Sequence, residues 1–279
     1  MFSLNCKGRL LVVDKPLVMG ILNITPDSFY SGSRTQTVDE VLFRAEQMLM
    51  EGAAILDLGG QSTRPGSEQL NADNELSRVV APLEALHKRF PEAYISIDTY
   101  YAKVARTAVE AGACIVNDIS GGSLDPQLIP EVAALNVPYV LMHIKGNPQT
   151  MQQQAVYADV TKEVLDQLSD RKAVIEKAGI RDCIIDPGFG FGKTAAHNFR
   201  LMEDLPVFSL FHAPVLLGIS RKSFIWKTLG TTPESDDTLQ GTTALHMAGL
   251  IKGANLLRVH DVKAAAATIK LFLEMKGAG

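Results

Sequence analysis

The chain has 279 residues, 46% of them apolar, with a net charge of −4 and a pI near 5.9. That is enough apolar material for a full core, and the acidic balance argues against an extended electropositive face for nucleic acid. No apolar run approaches the roughly 18–20 residues of a membrane span, and Lys7, Arg9, Asp14 and Lys15 break up the N-terminal apolar residues, so that no signal-peptide core forms.

In chain order, residues 1–16 come first and read as a hairpin, with its strands in 4–14, that closes the bottom of the fold. Eight short apolar runs then recur, at 17–22, 54–58, 93–97, 114–116, 138–142, 183–185, 214–219 and 255–259. Most are continuous rather than alternating, as in parallel strands covered on both faces. Amphipathic stretches separate them, at 38–52, 72–90, 103–112, 127–136, 155–179, 196–205, 239–253 and 262–275, with apolar residues at three- and four-residue spacing. Gly52, Gly112, Asn136, Gly179 and Gly253 supply left-handed stops. Strand–helix units with right-handed crossovers close naturally into a (β/α)8 TIM barrel, here one domain over 1–279, and an open doubly wound sheet is the alternative. Cys6, Cys114 and Cys183 make no CxxC pair. Cys114 and Cys183 open apolar runs and read as buried core residues, so the expected compartment is the cytoplasm.

In such a barrel the active site lies just past the C-terminal ends of the strands. Those positions hold Asn23, Asp57, Asp98, Asn117, Asp118, Met142, His143, Asp186, Ser220-Arg221-Lys222-Ser223, Arg258 and His260. Carboxylates do not bind phosphate, but one ionised carboxylate accepts both parallel donors of an amino-pyrimidinone edge. An Asn amide and a lysine serve the rest of that edge, while Arg258, His260 and Asn23 are left for an anion or its metal. The residues alone thus point to a flat heterocycle and an anion.

Other motifs fail on spacing. GFGFGKT at 188–194 suggests a P-loop, but the first glycine of that motif falls on Pro187, and Gly188 is one residue too close. No HExxH occurs, and His87, His197, His212 and His246 read as surface or packing residues. Neither Ser62 nor Ser223 sits in a GxSxG elbow.

Eight segments, taken together and in order, resemble dihydropteroate synthase: MGILNITPDSF (19–29), GGQSTRPGS (59–67), SIDT (96–99), VNDISGG (116–122), LMHIKGNPQTMQ (141–152), DPGFGFGK (186–193), GISRKS (218–223) and RVHDV (258–262). The resemblance implies a TIM-barrel transferase, commonly a homodimer, that joins a pterin pyrophosphate to p-aminobenzoate with Mg²⁺. It implies a pterin pocket of Asp98, Asn117, Asp186 and Lys222, walled by Met142, Gly190, Phe191 and Gly218. It gives Asn23, Thr63, Arg258 and His260 to the pyrophosphate, with Asn23 toward Mg²⁺. Phe29, Thr63, Arg64, Pro65 and Ser223 would contact p-aminobenzoate. Lys222, Arg258, His260, Asp98 and Asn23 would carry the chemistry.

Two positions depart from the family pattern. Ser31 stands where the first loop usually has Asp, and Gln61 where Glu is common. Ser31 motivates a second reading, a pterin-binding paralogue without turnover. A third, a pterin-dependent methyltransferase, leaves STRPG and SRKS unexplained.

Overall fold

The computed structural model describes residues 1–24, 34–61 and 69–277. The N-terminal strands β1 (Phe2–Cys6) and β2 (Arg9–Val13) pair antiparallel through a turn in which Lys7 and Gly8 both have positive φ. Their inward side chains alternate, and Leu4, Cys6, Leu11 and Val13 form one apolar cluster with Met19, Ile55, Ile115, Val140, Ile184, Leu216 and Leu256. Those partners lie toward the N-terminal ends of the barrel strands, so the hairpin plugs the end opposite the polar strand ends.

The barrel strands are β3 (Leu17–Asn23), β4 (Ile55–Gly59), β5 (Tyr94–Asp98), β6 (Ile115–Asp118), β7 (Tyr139–Met142), β8 (Cys183–Asp186), β9 (Leu216–Leu217) and β10 (Leu256–Val259). They are parallel in the order β8-β7-β6-β5-β4-β3-β10-β9. A single parallel bridge, Ile185 to Val215, and the Ile185 N–H to Pro214 carbonyl bond (2.8 Å) close the circle between β8 and β9. The fold is a (β/α)8 barrel. The strands run one or two residues past several of the predicted apolar runs, so that Asn23, Asp98, Asn117 and Asp186 are strand residues rather than loop residues.

The helices are α1 (Arg34–Met50), α2 (Ala72–Arg89), α3 (Ala102–Glu110), α4 (Leu128–Leu135), α5 (Val160–Ala178), α6 (Ala195–Glu203), α7 (Ser223–Leu229), α8 (Asp236–Ile251) and α9 (Val262–Gly277). The five predicted left-handed stops all have positive φ. The helix predicted from 155 starts at Val160, because Asp159 leaves helical geometry and its side chain accepts the Lys162 N–H as an N-cap. The apolar spacing did not reveal a 3₁₀ segment at Leu205–Phe211 or the short α7. Cys6, Cys114 and Cys183 are all buried and free. Among the described residues, no helix is long and apolar enough to cross a membrane.

Candidate active site

Strand register gathers the first part of the site. Asn23 pairs with Gly59, Gly59 with Asp98, and Asp98 with Asn117, so four neighbouring strands present these residues at one level. Gly59 keeps that level open: a Cβ there would stand 3.3 Å from Asn23 Oδ1 and 3.5 Å from Asp98 Cβ.

Below it, Arg258 of β10 reaches across the barrel. Its Nε donates to Asp57 Oδ2 and its Nη2 to Asp98 Oδ2, each at 2.6 Å. Asn117 Nδ2 donates to the same Asp57 oxygen at 3.0 Å. Burial works against the guanidinium charge, but Asp57 and Asp98 outweigh it and raise the Arg258 pKa. Burial pushes the Asp98 carboxyl up to about 7 despite Arg258, with Asp57, Asp118 and Asp186 adding to the rise. Arg258, expected at the pyrophosphate, is therefore also the counter-ion of two buried carboxylates.

The opposite wall comes from β8 and β9. Asp186 ends β8, and its Oδ1 accepts the Gly188 N–H at 2.8 Å. Burial raises its pKa, while Lys222, Gly188, Arg258 and Lys193 pull it back. Gly218 leaves room beside this carboxylate, since a Cβ there would lie 3.6 Å from Asp186 Oδ2. Lys222 caps α7, donates to the Phe189 carbonyl and lies 4.4 Å from the centroid of the Phe191 ring. Burial lowers its pKa to about 8, opposed by Asp186, so the ammonium form persists at neutral pH. Gly190 has φ +80°, and a Cβ there would meet Lys222 Cδ at 2.8 Å, so a side chain is excluded twice over. Met142 closes the wall in an apolar cluster with Tyr100, Ile119, Ile144 and Met151, against which Phe191 packs.

Two of the residues expected to contact the anionic groups follow β10 and β9. His260 is exposed after β10; its N–H donates to Ser220 Oγ at 3.2 Å, and its Nδ1 is 3.1 Å from the same oxygen. Ser223 is exposed as the first residue of α7. Between them, Arg221 (φ +53°) holds Asp261 in a two-pronged ion pair at 2.8 and 3.0 Å, tying the turn after β9 to the turn after β10. Phe29, Ser31, Thr63, Arg64 and Pro65 lie outside the described residues. Gln61, at the edge of the second loop, uses both ends of its amide: Nε2 donates to Tyr100 Oη, and Oε1 accepts the Leu70 N–H at 2.9 Å.

Asp118, placed by sequence in the strand-end set, has its carboxylate committed to the Ser120 and Gly122 N–H groups (2.7 and 2.5 Å) and to Tyr139 Oη (2.6 Å). It fixes a turn. Sequence reasoning listed Asp57 and His143 as strand-end residues but gave them no part. A charge inside the apolar run Ile-Leu-Asp-Leu was the available signal for Asp57. Among the described residues, no group of three or more His, Cys, Asp or Glu side chains could hold a metal ion.

Comparison with known proteins bears on the family and the fold. The model of the pterin binding enzyme family matches residues 19–260. The chain is 41% identical over 263 residues to dihydropteroate synthase of Escherichia coli strain K12, covering 94% of this chain and 92% of that one. The Xanthomonas albilineans dihydropteroate synthase solved with 4-aminobenzoic acid superposes with a TM-score of 0.91 at 40% identity over 98% of both chains. The same enzyme in complex with 7,8-dihydropteroate gives 0.88 at 38% identity, again over 98% of both. A buried carboxylate floor with a paired arginine, a lysine-capped glycine wall and a match across nearly the whole chain place this protein in the dihydropteroate synthase family of pterin-binding enzymes.

Proposed function

We propose that the protein is an active dihydropteroate synthase. It condenses 6-hydroxymethyl-7,8-dihydropterin pyrophosphate with p-aminobenzoate, giving 7,8-dihydropteroate and pyrophosphate for folate biosynthesis. The observation that supports this reading is that Asp98, Asn117 and Asp186 lie at the C-terminal ends of their strands and Lys222 just past β9, with Gly218 beside Asp186 and Gly190 beside Lys222. Ionised carboxylates there accept the paired donors of the pterin edge, and Lys222 donates to its ring carbonyl. Met142, Gly190, Phe191 and Gly218 would wall the flat ring.

The pterin CH₂–O bond breaks first, its electrons leaving with the pyrophosphate oxygen. The methylene cation that remains is delocalised into the ring and favoured by the surrounding carboxylates. Arg258 and His260 stabilise the departing anion. The neutral aniline nitrogen of p-aminobenzoate then attacks the methylene and loses its proton to water, so no strong general base is needed. Ser223 would meet the p-aminobenzoate carboxylate, and Phe29, Thr63, Arg64 and Pro65 are assigned to that substrate by resemblance, Thr63 also to the pyrophosphate.

Mg²⁺ fits as a substrate-borne ion rather than a resident one. Asn23 offers one hard oxygen beside the opening at Gly59, and Mg²⁺ of this kind draws its remaining ligands from phosphate and water. When bound, it supplies charge neutralisation for the leaving pyrophosphate. We further propose a cytoplasmic homodimer formed by a single-domain chain that binds neither nucleic acid nor membrane. Leu271, Leu273 and Met275 of α9 and Ile251 of α8 are exposed apolar residues that support the dimer.

The test is pyrophosphate release on mixing protein, pterin pyrophosphate, p-aminobenzoate and Mg²⁺, with each omitted in turn. Release that needs all of them, with dihydropteroate as product, is the expected result. Pterin binding without release would instead make the chain a binding paralogue.

A further inference from the structure

The turn at residues 188–192 is held in an unusual way. Each of its five consecutive carbonyls accepts a hydrogen bond from a side chain. Gly188 and Phe191 accept from Lys193 Nζ (2.8 and 3.1 Å), Phe189 from Lys222, Gly190 from Gln152 (3.2 Å) and Gly192 from Tyr157 Oη (3.0 Å). The Gly190 N–H is also spent, on Asn198 Oδ1 at 2.7 Å. Two lysines thus grip one turn: Lys222 from the cavity side and Lys193 from behind.

Lys193 is 4% exposed, and its partners are all neutral. Its third contact is His143 Nδ1 at 2.8 Å. Two carbonyls and one imidazole nitrogen match the three protons of an ammonium, provided that His143 offers an Nδ1 lone pair. Burial, with Lys193 next in effect, pushes the His143 pKa down to about 2, so this ring stays neutral. Burial also pulls the Lys193 pKa down, with Asp186 opposing it. Gly188 is what lets His143 and the turn meet, since a Cβ there would fall 1.8 Å from the His143 carbonyl oxygen.

We propose that Lys193, held by His143, is a positioning residue for the pterin. It fixes the 188–192 turn by two carbonyls so that Gly190 and Phe191 stand against Lys222. The inference rests on reading this cavity as the pterin site. It adds to that reading two residues that touch neither substrate.

The experiment compares Lys193→Met, His143→Leu and His143→Asn with the unmodified protein, using calorimetry with a bare pterin and steady-state kinetics. Losing the two hydrogen bonds from Lys193 to the turn predicts that Lys193→Met weakens pterin binding about tenfold or more. The KM for p-aminobenzoate at saturating pterin should stay put. His143→Leu removes the acceptor and should weaken pterin binding. His143→Asn keeps an oxygen near the Nδ1 position and should recover most of that loss. Equal pterin affinity in Lys193→Met and the unmodified protein overturns the proposal, as does equal loss in the Leu and Asn variants. If Lys193→Met does not fold, the His143 pair decides alone. Absence of pterin binding by the unmodified protein would count against the functional reading itself.

Discussion

Arg258 on β10 and Asp57 on β4 meet at 2.6 Å with the carboxylate wholly buried, 201 residues apart in sequence. The pair sits under the cavity floor. Asp57 Oδ2 takes bonds from both Arg258 and Asn117, while Oδ1 has no partner among the described residues. Removing Asp57 leaves the guanidinium with Asp98 alone and the Asn117 amide without its acceptor, so Asp57→Ala should cost about 1–3 kcal/mol of stability. Urea denaturation measures this. A loss below about 1 kcal/mol would show that the pair is not coupled to folding.

Asp186→Asn tests the heterocycle end. An amide presents one acceptor and one donor to an edge that needs two acceptors, and a lost charged hydrogen bond costs about 1.5–3 kcal/mol. Pterin affinity by calorimetry should therefore fall by about tenfold to a hundredfold or more. Unchanged affinity would move the pterin elsewhere in the barrel.

Gly188→Ala should be among the most damaging small changes in the chain. Its φ is +72° and the added carbon would overlap the His143 carbonyl, so either the turn or β7 has to move. Strain plus overpacking predicts a loss of more than about 3 kcal/mol, with pterin binding lost alongside. A thermal melt within a degree or two of the unmodified protein would contradict this.

Glu75 gives a pH signature. Both its carboxylate oxygens are buried without a hydrogen-bond partner among the described residues. Burial pushes its pKa to about 8, with Asp98 adding to the rise and Thr99 and Arg78 opposing it. The folded state then holds a proton that the unfolded chain releases near pH 4.5. Stability from this group is present below about pH 4.5 and is lost as pH rises toward about 8. One proton corresponds to a slope of up to about 1.4 kcal/mol per pH unit. Glu75→Gln should flatten that part of the profile and melt higher than the unmodified protein at pH 8. Parallel profiles for the two proteins would assign the slope to other groups.

Most of the barrel was legible because buried parallel strands are continuous apolar runs, and glycine or asparagine marks where helices stop. Other features stayed hidden for physical reasons. The spacing of 214–219 suggests a strand of six, but β9 keeps only Leu216 and Leu217, with Gly218 and Ile219 past its end. The strand-end rule named Asp98, Asn117, Asp186 and Lys222, which do lie at the ends of β5, β6 and β8 and just past β9. It could not separate Asp118, whose carboxylate is turned to backbone amides, from its neighbours, since side-chain direction is set by packing. Nor could spacing tell that Lys193, read as a false P-loop residue, is buried beneath its own turn.

The plug at the barrel bottom carries a consequence for how the chain is made. Leu4, Cys6, Leu11 and Val13 rest partly on Leu216 and Leu256, and β3 borders β10. A growing polypeptide makes this hairpin long before β10, so the hairpin finds its full seat only when β10 arrives. Until then β3 is an unpaired edge, and closing so long a loop is slow. A truncation that removes β10 would therefore leave both the edge of β3 and the seat of the hairpin uncovered.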